Sequence, residues 1–183
     1  MLPIISVVIP CYRARPYILD VIHGLPDFIT HIIVVDDGCP DKTGEYVQSY
    51  HYDKVQIIFR EKNGGVGAAV KTGYIRALDL NSHIIVKMDG DGQMHASDLP
   101  ALLAPLLQKR ADYTKGNRFE DLTLLKTMPF LRLLGNSVLS FLTKFSSGYW
   151  SVMDPTNGFT AIHQSALRKL TLHKIADSYF FES

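Results

Sequence analysis

The chain is 183 residues long, 46% hydrophobic and 20% charged, with a formal net charge of +1. That length suits one well-packed domain and is short for two, and the composition is that of an ordinary globular protein, which excludes a disordered chain. A charge so close to neutral leaves no global polyanion footprint, so nucleic acid is not expected as a partner.

The opening run is apolar but lacks a basic leader and stops at Pro10. It reads as a strand from Ile4 to Ile9, not as a secretory signal, and no stretch approaches the ~20 apolar residues of a membrane span. After the loop Cys11-Tyr12-Arg13-Ala14-Arg15-Pro16, the spacing of Ile18, Val21, Ile22 and Leu25 predicts a helix over 17–25. Ile32 to Val35 is a second strand, followed by Asp36, Asp37 and Gly38. A short helix is predicted from Asp41 to Tyr50, with Lys42 and Thr43 near its start. Val55 to Phe59 forms a third strand, and Asn63-Gly64-Gly65-Val66-Gly67 then opens a helix from Ala68 to Leu80. Ile84, Ile85 and Val86 make a fourth strand, ending in Asp89-Gly90-Asp91-Gly92-Gln93. Ser97-Asp98-Leu99-Pro100 caps a further helix through Leu107, with Pro100 in its first turn. Cys11 and Cys39 each follow a predicted strand and are expected to be reduced thiols of a cytosolic protein. The chain stops at Phe180-Phe-Glu-Ser183 without a turn or cap signal, so a single catalytic domain over 1–183, truncated at its C-terminus, is expected.

Strands that alternate with helices and carry no polar side predict an α/β fold, a mainly parallel sheet covered on both faces. Ligands of such sheets bind beyond the carboxyl ends of the strands. That rule gathers Tyr12, Asp36, Asp37, the glycine loop, Asp89 and Asp91 along one edge. In extended chain, residues i and i+2 point to one side, so Asp89 and Asp91 are expected to share one small volume, with Gly90 and Gly92 admitting a ligand to the backbone. Two carboxylates that close call for a cation, and hard oxygen donors suit Mg²⁺ or Mn²⁺ shared with substrate phosphates. An EF-hand loop is excluded, because Met94 and Pro100 stand where Gly and Glu are required. The glycine loop matches neither a P-loop nor a dinucleotide fingerprint.

Ser6-Val-Val-Ile-Pro10-Cys-Tyr12, Val34-Val-Asp36-Asp37-Gly38, Asn63-Gly-Gly65-Val-Gly67 and Met88-Asp89-Gly-Asp91-Gly-Gln93 together resemble the ordered signature of family 2 inverting glycosyltransferases. The resemblance implies the GT-A fold, a Rossmann-like three-layer sandwich. It also implies a nucleotide-sugar donor, UDP- or GDP-linked, held through Pro10, Tyr12, Asp36, Asp37, Asp89 and Asp91, to which we add Gly90 of the acidic motif and Gly65 and Lys71 of the glycine loop and its helix. Asp89 and Asp91, joined by Gln93, would hold the divalent metal. Lys115-Gly116-Asn117-Arg118, the segment carrying Arg132 and Asn136, and Met153-Asp154-Pro155-Thr156-Asn157-Gly158-Phe159 are similar to the branch that glycosylates dolichyl and other polyprenyl phosphates. There, arginines at the places of Arg118 and Arg132 handle phosphate groups; Asn136, where that branch often carries Ser, is expected to join them one turn from Arg132, and Asp91, Asp154, Arg118 and Arg132 would form the catalytic set. The chain departs from that branch after Tyr12, where Arg13 and Arg15 replace the usual Asn and Glu.

The chemistry agrees with these roles. A metal held by the acidic motif stabilises the departing diphosphate, and arginine forks grip phosphate oxygens. An anionic lipid phosphate attacks without a base, whereas a saccharide hydroxyl needs one. Asp154 is the first candidate to meet the acceptor, with Asp177 and Glu182 behind it. The apolar stretch from Phe130 to Phe145, with Tyr149 and Trp150 after it, reads as a helix packed on the sheet or lying in a membrane interface. His163 and His173 read as structural. The expected location is the cytoplasmic face of a membrane, held peripherally, with any membrane span beyond residue 183. Three rivals share features with this reading. A haloacid-dehalogenase-type phosphohydrolase would carry the acidic motif on its first strand, and a sugar nucleotidyltransferase would carry a Gly- and Arg-rich loop after it. A non-catalytic nucleotide-sugar sensor would keep the donor residues and tolerate loss of Asp154. The alternative acceptor is a saccharide hydroxyl in cell-surface polysaccharide synthesis.

Overall fold

The computed structural model describes residues 2–117 and 157–177. In chain order these form β1 (Ile5–Cys11), α1 (Ile18–Gly24), β2 (His31–Asp36), α2 (Thr43–Gln48), β3 (Val55–Phe59), α3 (Val66–Asp79), β4 (Ile84–Lys87) and α4 (Leu99–Leu107). They continue with β5 (Tyr113–Lys115), β6 (Thr160–His163) and α5 (Gln164–Leu167). The strands make one six-stranded sheet in the order β3-β2-β1-β4-β6-β5. β1 runs parallel to β2 and β4, and β2 to β3, while β6 runs antiparallel between β4 and β5. The mainly parallel α/β sheet expected from the sequence is therefore present. The strands β5 and β6, three and four residues long, were too short to announce themselves by period.

Burial on both faces explains the unbroken apolar strands. Val7 and Ile9 of β1 pack with Ile18, Val21 and Ile22 of α1, Val47 of α2 and Leu99, Leu103 and Leu106 of α4. Val8, Ile33, Val35 and Ile85 face the other way, onto Ala69, Val70, Tyr74 and Ala77 of α3 and Leu167 of α5. Gly73 lets α3 lie close against the sheet, since a Cβ there would stand 2.2 Å from Val8 Cγ1.

Several element ends differ from expectation for local reasons. The second helix starts at Thr43, not Asp41, because the Asp41 carboxylate accepts bonds from Thr43 N (3.3 Å) and Oγ1 (2.7 Å), and Lys42 is left-handed at φ +57°. The third starts earlier, at Val66, with Gly65 as its cap at φ +90°. β1 runs through Pro10 to Cys11, and this is the difference that matters for function. In β1 the carbonyls of Ile5 and Cys11 bond toward β2, whereas Val8 O accepts Met88 N at 3.0 Å, toward β4. Pro10 shares the β4-facing register of Val8, one step past the last β1–β4 pair, Val8 with Lys87. Having no N–H, Pro10 cannot make the next ladder bond, to Met88 O, so the strands part there.

Candidate active site

Where β1 and β4 part, a cleft of about 1220 Å³ opens at the carboxyl edge of the sheet. It lies at the point where the strand order turns from β1 to β4, the usual ligand crevice of a parallel sheet. Pro10, Tyr12, Asp37, Gly65, Asp89, Gly90, Asp91 and Gln93 all line it.

One wall is the tip of β2 and the glycine loop. The Asp37 carboxylate is almost fully buried and paired with the Arg60 guanidinium. It also accepts the N–H of Gly64 (3.1 and 3.2 Å) and of Gly65 (2.9 Å). The loop is thus bent around an anion that the protein itself supplies, ahead of the N-terminus of α3. Asp36 is placed differently from the expectation. Its two oxygens accept Cys39 N and Gly44 N, each at 2.7 Å, and it does not line the cleft. Strand alternation turns it under α2, where it ties down the loop that presents Asp37. Lys71 is also directed elsewhere: its Nζ donates to Ile175 O at 2.8 Å and pairs with Asp177. It sits in the sixth place of α3, past the end that faces the cleft, and holds the segment in which Ala68 N donates to Asp177 O.

The floor is the acidic motif. β4 ends at Lys87, so Asp89 and Asp91 stand on a turn beyond it and not on extended chain. Both nevertheless face the cleft, Asp89 about one-third exposed and Asp91 exposed. Asp91 Oδ1 accepts Gln93 N at 3.0 Å, and Gly92 makes the turn possible at φ +77°. Gly90 is required by close packing, since a Cβ would come within 3.0 Å of Cys11 Sγ. Lys87, overlooked among the apolar residues of the strand, pairs with Asp89 Oδ1 at 2.8 Å. A charged residue two places before an aspartate in a buried strand was the signal for it.

The entrance carries Tyr12, half-exposed, with Arg13 stacked 5.5 Å from its ring and held left-handed at φ +59°. On the far side Asn157 Oδ1 accepts Phe159 N at 2.9 Å, and Gly116 N donates to Phe159 O at 2.7 Å, fixing the turn after β5. Both cysteines are free; burial, the largest cause, pushes each thiol above its ordinary value, Cys11 far above. Arg118, Arg132, Asn136, Asp154 and Glu182, and the apolar stretch 130–145, lie outside the described residues.

The donor set fits a hard divalent cation: two carboxylates and an amide oxygen at one turn, short of a complete shell, as expected where phosphates supply the rest. Among the described residues there is no group of three or more His, Cys, Asp or Glu side chains that would form a self-sufficient metal centre.

A six-stranded, mainly parallel sheet with an acidic turn and a glycine loop at its switch point is the architecture expected of a GT-A domain. Comparison with solved structures agrees. The chain superposes on glucosyl-3-phosphoglycerate synthase from Mycobacterium tuberculosis, crystallised with Mn²⁺, UDP and glucosyl-3-phosphoglycerate, with a TM-score of 0.75 at 22% identity. That match covers 98% of this chain and 62% of the synthase, so the chain spans about three-fifths of that structure. Among curated proteins it is 31% identical to the UDP-N-acetylglucosamine–dolichyl-phosphate N-acetylglucosaminyltransferase of Methanococcus voltae, over 96% of this chain and 76% of that protein. It is 30% identical to the polyprenol monophosphomannose synthase of Mycolicibacterium smegmatis, over 96% and 68% respectively. The glycosyl transferase family 2 profile matches residues 6–171, and the chain belongs to that family.

Proposed function

We propose that the protein transfers a sugar, with inversion, from a nucleoside-diphosphate sugar to a polyprenyl phosphate, using Mg²⁺ or Mn²⁺ and working peripherally at the cytoplasmic face of a membrane. The observation that carries this reading is the convergence of Tyr12, Asp37, the glycine loop, Asp89 and Asp91 on one cleft at the sheet's switch point. The relatives named for dolichyl and polyprenol substrates favour the lipid acceptor over a saccharide hydroxyl. No helix among the described residues is long and apolar enough to cross a membrane.

Asp89, Asp91 and Gln93 would hold the ion, which when bound acts as a Lewis acid on the leaving diphosphate. The chain's own residues do the rest. Tyr12 offers an exposed ring face for the nucleobase, and Asp37 fixes the loop whose backbone flanks the donor. An oxygen of the lipid phosphate attacks the anomeric carbon as the bond to the nucleotide breaks, and the electron pair leaves on the terminal phosphate oxygen. The attacking oxygen is already anionic, so no base is required. Arg118, Arg132 and Asn136 are assigned to the acceptor phosphate and Asp154 to contact with the acceptor, on the motifs that carry them.

Thermal-shift titration with UDP-, GDP- and CDP-sugars, each with Mg²⁺, Mn²⁺ or chelator, tests the donor site, because a ligand that binds only the folded chain raises its melting point. One nucleotide is expected to stabilise the protein, more so with metal. Formation of a glycosylated polyprenyl phosphate in detergent tests the acceptor. Absence of any nucleotide-dependent shift would overturn the donor assignment.

A further inference from the structure

The transfer reading leaves unused a charged residue set inside the apolar centre of the sheet. Lys87 closes β4, in register with Val8 of β1 on one side and Thr160 of β6 on the other. Its side chain is 1% exposed. Strand alternation sends it to the face of Ile85, toward Ala69 at the cleft end of α3. From there it lines the cleft, and its ammonium meets Asp89 Oδ1 at 2.8 Å. A buried ammonium is strongly unfavourable without a partner, and Asp89 supplies one here. The contact uses Oδ1, and Oδ2 of the same carboxylate can still serve an ion.

We propose that Lys87 is a resident countercharge of the acidic motif. It positions Asp89 before any cation arrives, and it lends fixed positive charge to the diphosphate of an incoming nucleotide. This rests on the donor-site reading above. Two carboxylates and one ammonium leave the turn with a single negative charge, and without the ammonium there would be two. Loss of Lys87 therefore acts with opposite signs on the two ligands. A divalent cation is drawn more strongly to the nucleotide-free site, and an anionic nucleotide is held less well when no cation is present. A residue serving only to stabilise the fold would weaken both.

The test compares wild type with Lys87→Met and Lys87→Arg. Mn²⁺ binding to nucleotide-free protein is followed by electron paramagnetic resonance, and UDP and GDP binding in chelator by calorimetry. Lys87→Met should bind Mn²⁺ at least about tenfold more tightly and its nucleotide at least about tenfold more weakly, as expected for one unit charge ~5 Å away at an effective dielectric near 20. Lys87→Arg should restore both values toward wild type. Should Lys87→Met fail to fold, Lys87→Gln, which keeps a polar head for Asp89 without the charge, is expected to move both affinities in the same directions. Unchanged or weaker Mn²⁺ binding in a folded, neutral variant would overturn the proposal. If wild type bound neither nucleotide under any metal condition, the donor reading would fail by itself, and the Mn²⁺ comparison would still decide the role of Lys87.

Discussion

Replacing Asp37 by Asn should destabilise the domain through the glycine loop. The carboxylate is 4% exposed and is shared by the Arg60 guanidinium and the N–H groups of Gly64 and Gly65. Asn keeps one acceptor oxygen but removes the charge and turns an amide N–H₂ toward donors. Removing one partner of a buried pair costs about 3–5 kcal/mol. Arg60 keeps 24% of its side-chain exposure and recovers some hydration, which lowers the expected loss to roughly 2–4 kcal/mol. For a chain of this size that is a fall in melting temperature of roughly 5–15 °C. A double-mutant cycle with Arg60→Met isolates the pair, and chemical denaturation of the four proteins should give a coupling of about 1–3 kcal/mol. Nucleotide affinity should fall in Asp37→Asn, because the loop loses the anion that shapes it. Additivity of the two substitutions within ~0.5 kcal/mol would refute the view that this pair organises the donor loop.

Other outcomes follow from single contacts. Asp91→Ala should abolish metal-dependent nucleotide binding by calorimetry while moving the melting temperature little, since the exposed side chain loses only its bond from Gln93 N. Gly73→Ala should destabilise by about 1–3 kcal/mol in urea, despite alanine's better helix propensity, because the new methyl would meet Val8 Cγ1 at 2.2 Å. Asp36→Ala should lower stability by about 2–4 kcal/mol through two charged hydrogen bonds, one buried and one partly buried, measured by urea unfolding, and should weaken nucleotide binding only through the displaced loop. Cys11 should resist maleimide labelling at pH 7 until the chain unfolds, as burial raises its thiol far above the ordinary value; rapid labelling of native protein would contradict this placement.

The frame of the fold was legible in local pattern. Ile32 to Val35 and Val55 to Phe59 are apolar runs bounded by turn residues, and doubly buried strands leave that trace in any sequence. The cleft's principal acidic residues were legible too, because parallel topology brings strand ends to one edge whatever the helices do. Tertiary structure decided how adjacent carboxylates divide their work. Asp36 and Asp37 are neighbours in sequence, yet one faces the loop under α2 and the other the cleft, a consequence of strand alternation at the end of β2. It also decided that Lys71 binds the segment 175–177 and that Lys87, hidden in an apolar run, reaches Asp89. Charge partners are set by three-dimensional proximity between distant elements, and no periodicity in the chain records them. Hydrophobic spacing therefore located the four parallel strands and the edge their ends share, and packing alone fixed which charges meet there.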